Sequence, residues 1–143
     1  MDSPIQQKAI RFKHFVVKEV NFIISSSPTN LPAETIHINI SVDVVFFEND
    51  VKNYTVNLIA EVESASAGFK LRVVSNSLFE SEDPITPEFM DSDMARVSSP
   101  AIAFPFLRSF INTLTTNAGI PPLVLPAFNF TKPELTKPRK ETP

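Results

Sequence analysis

Apolar and polar residues alternate along two stretches in the first half of the chain, and a period of two is typical of strands that bury one face. In residues 36–44, isoleucine and valine occupy every second position, with polar residues such as His37 and Asp43 between them. Residues 54–62 resume the alternation after the turn residues at 48–50, so the two stretches predict a β-hairpin. A further strand from Phe69 to about Phe79 follows the short link at 64–68.

The stretch from Ile10 to Ile24 is apolar on both of its alternating faces, which favours a strand partly covered on each side. One predicted face holds Val16, Val20, Phe22 and Ile24, and the other holds Phe15, Val17 and Ile23. Four strands in sequence with short links predict an antiparallel meander.

Helix signals appear only after these strands. Thr86 as N-cap, Pro87 at the first position and Glu88 in the first turn predict a short helix. A second helix is predicted to start near residues 98–100 and to end at Gly119. Its predicted apolar stripe consists of Ile102, Phe106, Phe110 and Leu114, with Leu107 and Ile111 beside it. Pro105 lies within that pattern, so it marks a kink or the true start of the regular helix.

Strands followed by helices predict an α+β fold, in which the helices pack on one face of a four-stranded antiparallel sheet. One domain over residues 10–130 is predicted, with a flexible tail at 1–9 and a disordered, Pro- and Lys-rich tail at 131–143. The chain has 13 phenylalanines. They are many for so small a core, so we expect self-association and apolar surface kept for a partner.

Composition excludes several classes of function. The balance of 13 basic and 16 acidic residues argues against nucleic-acid binding, and the absence of cysteine excludes disulfides and thiolate chemistry. Only two glycines occur, so a glycine-rich phosphate loop is excluded and no nucleotide cofactor is expected. No signal peptide or membrane-length apolar segment is visible, which predicts a cytoplasmic protein without membrane insertion.

Candidate catalytic and metal-binding residues are few. His14 and His37 lie among polar neighbours on predicted strands and receive no role. Glu61 and Glu63 share a strand face, which suits paired carboxylate chemistry or, more simply, a solvated face. The acidic run at 80–93 lacks the ligand spacing and central glycine of a calcium loop. No catalytic residue, metal or cofactor is assigned, and the chain is not predicted to be an enzyme.

The loop after the second helix is the least ordinary segment, because residues 120–130 contain no charge. Its prolines donate no backbone hydrogen bonds and favour extended geometry, so the side chains of Leu123, Val124, Leu125 and Phe128 should point in different directions. One small domain cannot easily hide all four, which indicates a binding surface.

The segment "SPAIAFPFLRSFINTLTTNAGIPPLVLPAFNF", residues 99–130, resembles the helix and following loop of the SecB protein-export chaperones. It contains the Phe-Pro-aromatic element, the Leu-x-Leu and the closing Asn-Phe of that family, with Ala127 where many members have proline. The strand order extends the resemblance back to about Phe12.

The resemblance implies a dimer of dimers that holds unfolded clients in long apolar grooves without ATP, and it implies a role in protein export. Carried over by position, the groove candidates are Phe69, Phe106 and Phe130, with Leu31 where many members have tryptophan. Leu123, Leu125 and Phe128 of the loop complete the set.

The resemblance also implies an acidic outer sheet face that contacts the SecA motor. Glu19 matches that feature. On the fourth strand, however, Arg72 and Lys70 place positive charge where the resemblance implies negative charge, and the tail is net basic. Two alternatives stay open: a SecB-like chaperone dedicated to one client, such as an antitoxin, and a non-chaperone assembly protein that uses the same fold.

Overall fold

The computed structural model describes residues 9–26 and 35–131. Its four strands are β1 (Ile10–Ile24), β2 (His37–Phe47), β3 (Asp50–Ser64) and β4 (Phe69–Ser81). Two α-helices follow, α1 (Pro87–Met90) and α2 (Ser99–Asn117), with a π-helical turn at Met94–Ser98 between them. Apart from residues 9 and 131, both predicted tails lie outside the described residues.

The strands form one antiparallel sheet in the order β1-β4-β3-β2. The β2–β3 hairpin and the β3–β4 pairing are those that the sequence predicts. The prediction of a simple meander is wrong for β1, which pairs with β4 along its whole length instead of with β2. The strand that comes first in the chain therefore lies at one edge of the sheet, and β2 lies at the other.

The strand β1 carries two register shifts, one between Phe12 and His14 and one between Val17 and Glu19. Each bulge adds a residue and reverses the phase of the alternation. Phe15 and Val17 consequently pair with Ser77 and Ser75, on the same sheet face as the core residues of β4. The predicted division of β1 into faces is wrong, because a strict period of two cannot cross a bulge.

The core lies between one face of the sheet and α2. The buried sheet residues include Ile40 and Val42 of β2, Val56 and Leu58 of β3, and Leu71, Val73 and Phe79 of β4. On α2 the buried positions after the first turn are Ala103, Phe104, Leu107, Ile111 and Thr115. The predicted stripe is therefore displaced around the helix: Ile102 and Phe106 are exposed, and Leu107 and Ile111 occupy the core.

The helix starts are close to those predicted. The Thr86 hydroxyl accepts a hydrogen bond from the Phe89 N–H, so it is the N-cap of α1. The regular helix α2 begins at Ser99 and runs through Pro105, which is not its start. Pro105 and Ala101 are both exposed, so water can reach the carbonyl that lacks a helix donor at this proline. Gly119, with φ +86°, follows the last turn as predicted.

A buried hydrogen bond fixes the start of α2 against the sheet. The Tyr54 hydroxyl and the Ser99 hydroxyl are 2.6 Å apart, and Ser99 also donates to the Met94 carbonyl oxygen at 2.9 Å. Burial raises the pKa of the Tyr54 phenol above its usual value, and the bond to Ser99 opposes that rise. The Tyr54 ring stacks on Phe79 of β4, so one side chain joins the sheet to the helix.

Candidate binding surface

The loop that follows α2 runs back along the helix in the opposite direction. Its beginning is joined to Thr115, whose hydroxyl accepts a hydrogen bond from the Leu123 N–H at 2.9 Å. Its end packs on Phe104, whose ring lies 5.3 Å from that of Phe128 and 5.6 Å from that of Phe130. The helix rises about 16 Å between residues 115 and 104, and an extended chain covers about the same distance between residues 123 and 128.

The sequence explains why this loop is extended. Pro121, Pro122 and Pro126 fix φ and remove three backbone donors, so the loop cannot coil into a helix. Leu123 and Leu125 are buried, and Val124 between them is 65 % exposed, which is the alternation of an extended chain. The loop therefore seals one side of the core and presents Val124 outward.

The predicted groove residues fall into two groups, those buried within the single chain and those partly exposed to solvent. Phe69, Leu123, Leu125 and Phe130 are buried in the core of the single chain. Phe128 is half-buried, Phe106 is 44 % exposed, and Leu31 lies outside the described residues. Of the described candidates, Phe106 and Phe128 can touch a partner directly.

Phe106 belongs to an aromatic patch that the sequence alone does not reveal. Its ring stacks on Phe12 of β1, with centroids 4.6 Å apart and planes 13° apart, and it lies 5.8 Å from Phe15. We call Phe12, Phe15 and Phe106 the aromatic patch. Sequence reasoning missed Phe12 and Phe15 because the first bulge in β1 brings both onto the core side of the sheet, next to α2.

Exposed aliphatic side chains lie on the same two elements as the aromatic patch. Val20 and Ile24 of β1 are 41 % and 39 % exposed, and Ile102 of α2 is 41 % exposed. The patch lies at the β1 edge of the sheet, where α2 leaves β1 incompletely covered. Exposed apolar side chains of this kind suit contact with another polypeptide or with a copy of the chain.

The opposite face of the sheet is charged and internally paired. Arg72 donates to a Glu19 carboxylate oxygen at 3.1 Å, and Lys70 lies 3.9 Å from Glu63. Glu19 was the predicted acidic contact for a motor protein. Its charge is offset by the basic residue that the sequence placed on β4, so this part of the face is not a free acidic surface.

The histidines and glutamates that the sequence offers as catalytic or metal-binding candidates are exposed to solvent. His14 and His37 are exposed, and Glu61 and Glu63 lie on the charged sheet face opposite Arg72 and Lys70. Within residues 9–26 and 35–131, no three His, Cys, Asp or Glu side chains come together in a way that could hold a metal ion. No helix in the same ranges is long and apolar enough to cross a bilayer.

A family model described as "Preprotein translocase subunit SecB" matches residues 4–133. The chain belongs to the SecB family. The match covers all four strands, α2 and the extended loop, so the aromatic patch and the loop lie within the SecB domain.

Relatives with sequence similarity come from archaea and bacteria. An uncharacterized protein of Methanocaldococcus jannaschii, MJ0357, is 27 % identical over 128 residues, which is 85 % of this chain and 79 % of that protein. The protein-export protein SecB of Ehrlichia canis is 45 % identical over 38 residues, 27 % of this chain and 22 % of that protein. The latter similarity is therefore confined to a short segment.

Two solved structures share the fold. The SecB-like chaperone Rv1957 of Mycobacterium tuberculosis, in complex with a ChAD peptide from the HigA1 antitoxin, superposes with a TM-score of 0.67 at 17 % identity, covering 83 % of this chain and 90 % of that one. A protein of unknown function from Streptococcus agalactiae gives a TM-score of 0.53 at 11 % identity, covering 85 % and 99 %. These likenesses establish the α+β architecture, as the sequence predicted.

Proposed function

We propose that this SecB family member is an ATP-independent holdase chaperone of the cytoplasm, which binds unfolded polypeptide segments on apolar surface. Membership of the SecB family supports a chaperone role. The observation that carries the proposal is the aromatic patch, where Phe106 is 44 % exposed while neighbouring residues of α2 such as Leu107 and Ile111 are fully buried. One side of its ring packs on Phe12, and the exposed part of the residue is open to contact by a partner.

The energetics suit an unfolded client. Burying apolar surface gains about 25 cal/mol per Å² and requires no particular client sequence. The buried candidates Phe69, Leu123, Leu125 and Phe130 act in this proposal as the support beneath the surface that Phe106 and Phe128 present. Leu31 is proposed to border the same groove.

Self-association is part of the same proposal. The exposed apolar residues of β1, Val20 and Ile24, lie along a sheet edge, and we propose that copies of the chain associate as a dimer of dimers. An oligomer brings several client surfaces together, which raises avidity for a long chain without any new contact.

A binding assay tests the proposal. The purified protein is titrated with a reduced, permanently unfolded model protein, and oligomer mass is followed by light scattering. Phe106→Ala should weaken binding at unchanged mass and with native circular dichroism. The matched control is Phe47→Ala, since Phe47 is 41 % exposed but lies at the β2–β3 turn, on the other edge of the sheet. Wild-type protein that binds no unfolded model protein would move the assignment to a chaperone dedicated to one client or to an assembly protein.

A second candidate is a chaperone dedicated to one client. The ion pair between Arg72 and Glu19 favours it, because an acidic motor-contact surface is partly neutralised here. The structural neighbour Rv1957, whose complex holds an antitoxin peptide, shares its fold. Competition assays separate the two proposals: a general export chaperone binds many unfolded proteins with similar affinity and binds SecA, whereas a dedicated one prefers a single client strongly.

A further inference from the structure

The end of the sheet that carries the β2–β3 turn keeps apolar side chains in solvent. Phe47, the last residue of β2, is 41 % exposed, and Val51, near the start of β3, is 60 % exposed. Phe46 and Tyr54 of the same two strands stack on each other against the core. The turn therefore has an inner face that completes the core and an outer face that the other described residues leave open.

The link after β4 brings acidic residues to this end of the sheet. The Ile85 N–H donates to the Val51 carbonyl oxygen at 2.6 Å, so the link runs beside the first residues of β3. Glu82 and Asp83 in the link and Glu48 in the turn are exposed, and none of them forms an ion pair with another described residue. We call the following residues the turn surface: Phe47, Glu48, Val51, Glu82 and Asp83.

Negative charge at this end of the sheet is not balanced by the cations around it. In and after α1, three more acids are exposed, at positions 88, 91 and 93. Arg11 and Lys13 of β1 are already paired with Glu80. Among the described residues of this end, Lys52 and Arg96 are the cations without an acidic partner, so the acids outnumber them. A basic segment of polypeptide is therefore the kind of partner that suits the turn surface.

The extended loop ends close to the same end of the sheet. Phe130 packs on Phe104, which lies five residues from the start of α2 at Ser99. Ser99 is bonded to Tyr54, which lies three residues from Val51 on β3. Along this path Phe130 is separated from the turn surface by about 7.5 Å of helix and about 10 Å of strand. About six extended residues span that distance.

The sequence that follows the described residues has the opposite charge. Residues 132–143 contain four basic and two acidic side chains, and three of the basic ones belong to the run Lys-Pro-Arg-Lys at 137–140. This run begins seven residues after Phe130, which is far enough along the chain to reach the turn surface. Lysine and arginine can lay their aliphatic stems on apolar surface while their charged groups reach neighbouring carboxylates.

We propose that residues 132–143 dock on the turn surface of the same chain. In this arrangement the run at 137–140 covers Phe47 and Val51, and its cations pair with Glu48, Glu82 and Asp83. The covalent link favours docking within one chain, because it holds the run at a high effective concentration. The segment has too few apolar residues to form a core of its own, so the contact depends on charge and weakens as salt screens it. This inference goes beyond the proposed chaperone function and does not depend on it.

A tryptophan at position 47 reports on this contact. The chain has no tryptophan, and Phe47→Trp keeps an aromatic ring on the turn surface of the full-length protein. Acrylamide is uncharged, so its quenching of the fluorescence measures access to the ring and not the charge around it. Quenching should increase about twofold when salt is raised from low concentration to about 1 M, where pairs of exposed charges are screened. Replacing Lys137, Arg139 and Lys140 together by Gln should produce the same increase at low salt.

Matched variants assign the protection to the two partners. Glu82→Gln with Asp83→Asn should expose the tryptophan as much as the neutralised basic run does. Glu134→Gln with Glu141→Gln changes the same segment without removing a cation and should leave the protection intact. The control for position is Ile23→Trp, since Ile23 is 53 % exposed and pairs with β4 at the opposite end of the sheet. Quenching at position 23 should not respond to the basic run.

The possible results decide between docking within one chain and its alternatives. Equal quenching at position 47 with the native and the neutralised run, at low salt, overturns the proposal. Protection that grows with protein concentration also overturns it, and assigns the turn surface to the segment of a second copy. If Phe47→Trp does not fold, amide chemical shifts of residues 47–51 are compared between the unmodified protein and the variant with the neutralised run. Shifts that do not change between these two proteins overturn the proposal as well.

Discussion

Thr115 is the residue that joins the extended loop to α2, and replacing it tests how the binding surface is built. Its hydroxyl donates to the Ile111 carbonyl oxygen at 2.9 Å and accepts from the Leu123 N–H at 2.9 Å, with the side chain completely buried. In Thr115→Val the shape is nearly preserved, but the Leu123 N–H loses its acceptor.

The magnitude follows from that single unsatisfied group. A buried donor without a partner costs about 1–3 kcal/mol, and the Ile111 carbonyl keeps its ordinary helix bond from the Thr115 N–H. We therefore expect Thr115→Val to lower the free energy of unfolding by about 1–3 kcal/mol, measured by urea denaturation with an unchanged m-value. Valine is nearly isosteric with threonine, so cavity formation or overpacking should contribute little.

Amide exchange at Leu123 distinguishes this mechanism from a general loss of packing. Exchange should accelerate in Thr115→Val more than the global stability change requires, since the loop can now open locally. Thr115→Ser, which keeps the hydroxyl and loses a methyl group, is the control: it should lose some stability but keep Leu123 protected. A Thr115→Val protein as stable as wild type, with a slowly exchanging Leu123 amide, would refute the reasoning.

Four further predictions concern the sheet, its links and the end of α2. Tyr54 is the only tyrosine and the chain has no tryptophan, so phenolate absorbance should report a midpoint above pH 10.0. Burial raises this pKa, so the stability due to the neutral phenol should be complete below about pH 10 and lost as pH rises through the folded value, a dependence that Tyr54→Phe removes. Gly119→Ala should cost about 1–2 kcal/mol in urea unfolding because φ is +86°, with open space around the new Cβ. Gly68→Ala should cost more, since φ is +71° and the Cβ would lie 2.5 Å from a serine hydroxyl. Arg72→Ala should change stability by less than about 1 kcal/mol, because its pair with Glu19 is exposed, but should increase binding of a basic partner to that face.

The hairpin and the helix caps could be read from sequence because their causes are local. Alternation between Ile or Val and polar residues determines which face of β2 is buried, and turn residues determine where the hairpin reverses. Thr86 followed by Pro87 caps α1 through contacts within a few residues. The family resemblance rested on the equally local pattern from Ser99 to Phe130, and the family match confirms it.

The predictions that were wrong concern positions decided by distant residues. The faces of β1 depend on two bulges that arise only when it pairs with β4, far away in sequence. The same pairing brings Phe12 beneath Phe106, a contact between residues 12 and 106 that no local pattern encodes. The buried positions of α2 differ from the predicted apolar stripe because the sheet and the loop bury two sides of the helix. Its apolar residues are therefore not confined to one stripe.

The sequence by itself determined the strands, the helix boundaries and the extended, proline-rich character of the loop, because each follows from backbone geometry and short-range patterning. Only the tertiary structure decided which apolar residues are hidden. Leu123 and Leu125 are buried although they flank an exposed Val124, and Phe106 is exposed although its helical spacing predicts core. Burial depends on what packs against a residue from elsewhere in the chain, and that contact is set by the assembled fold.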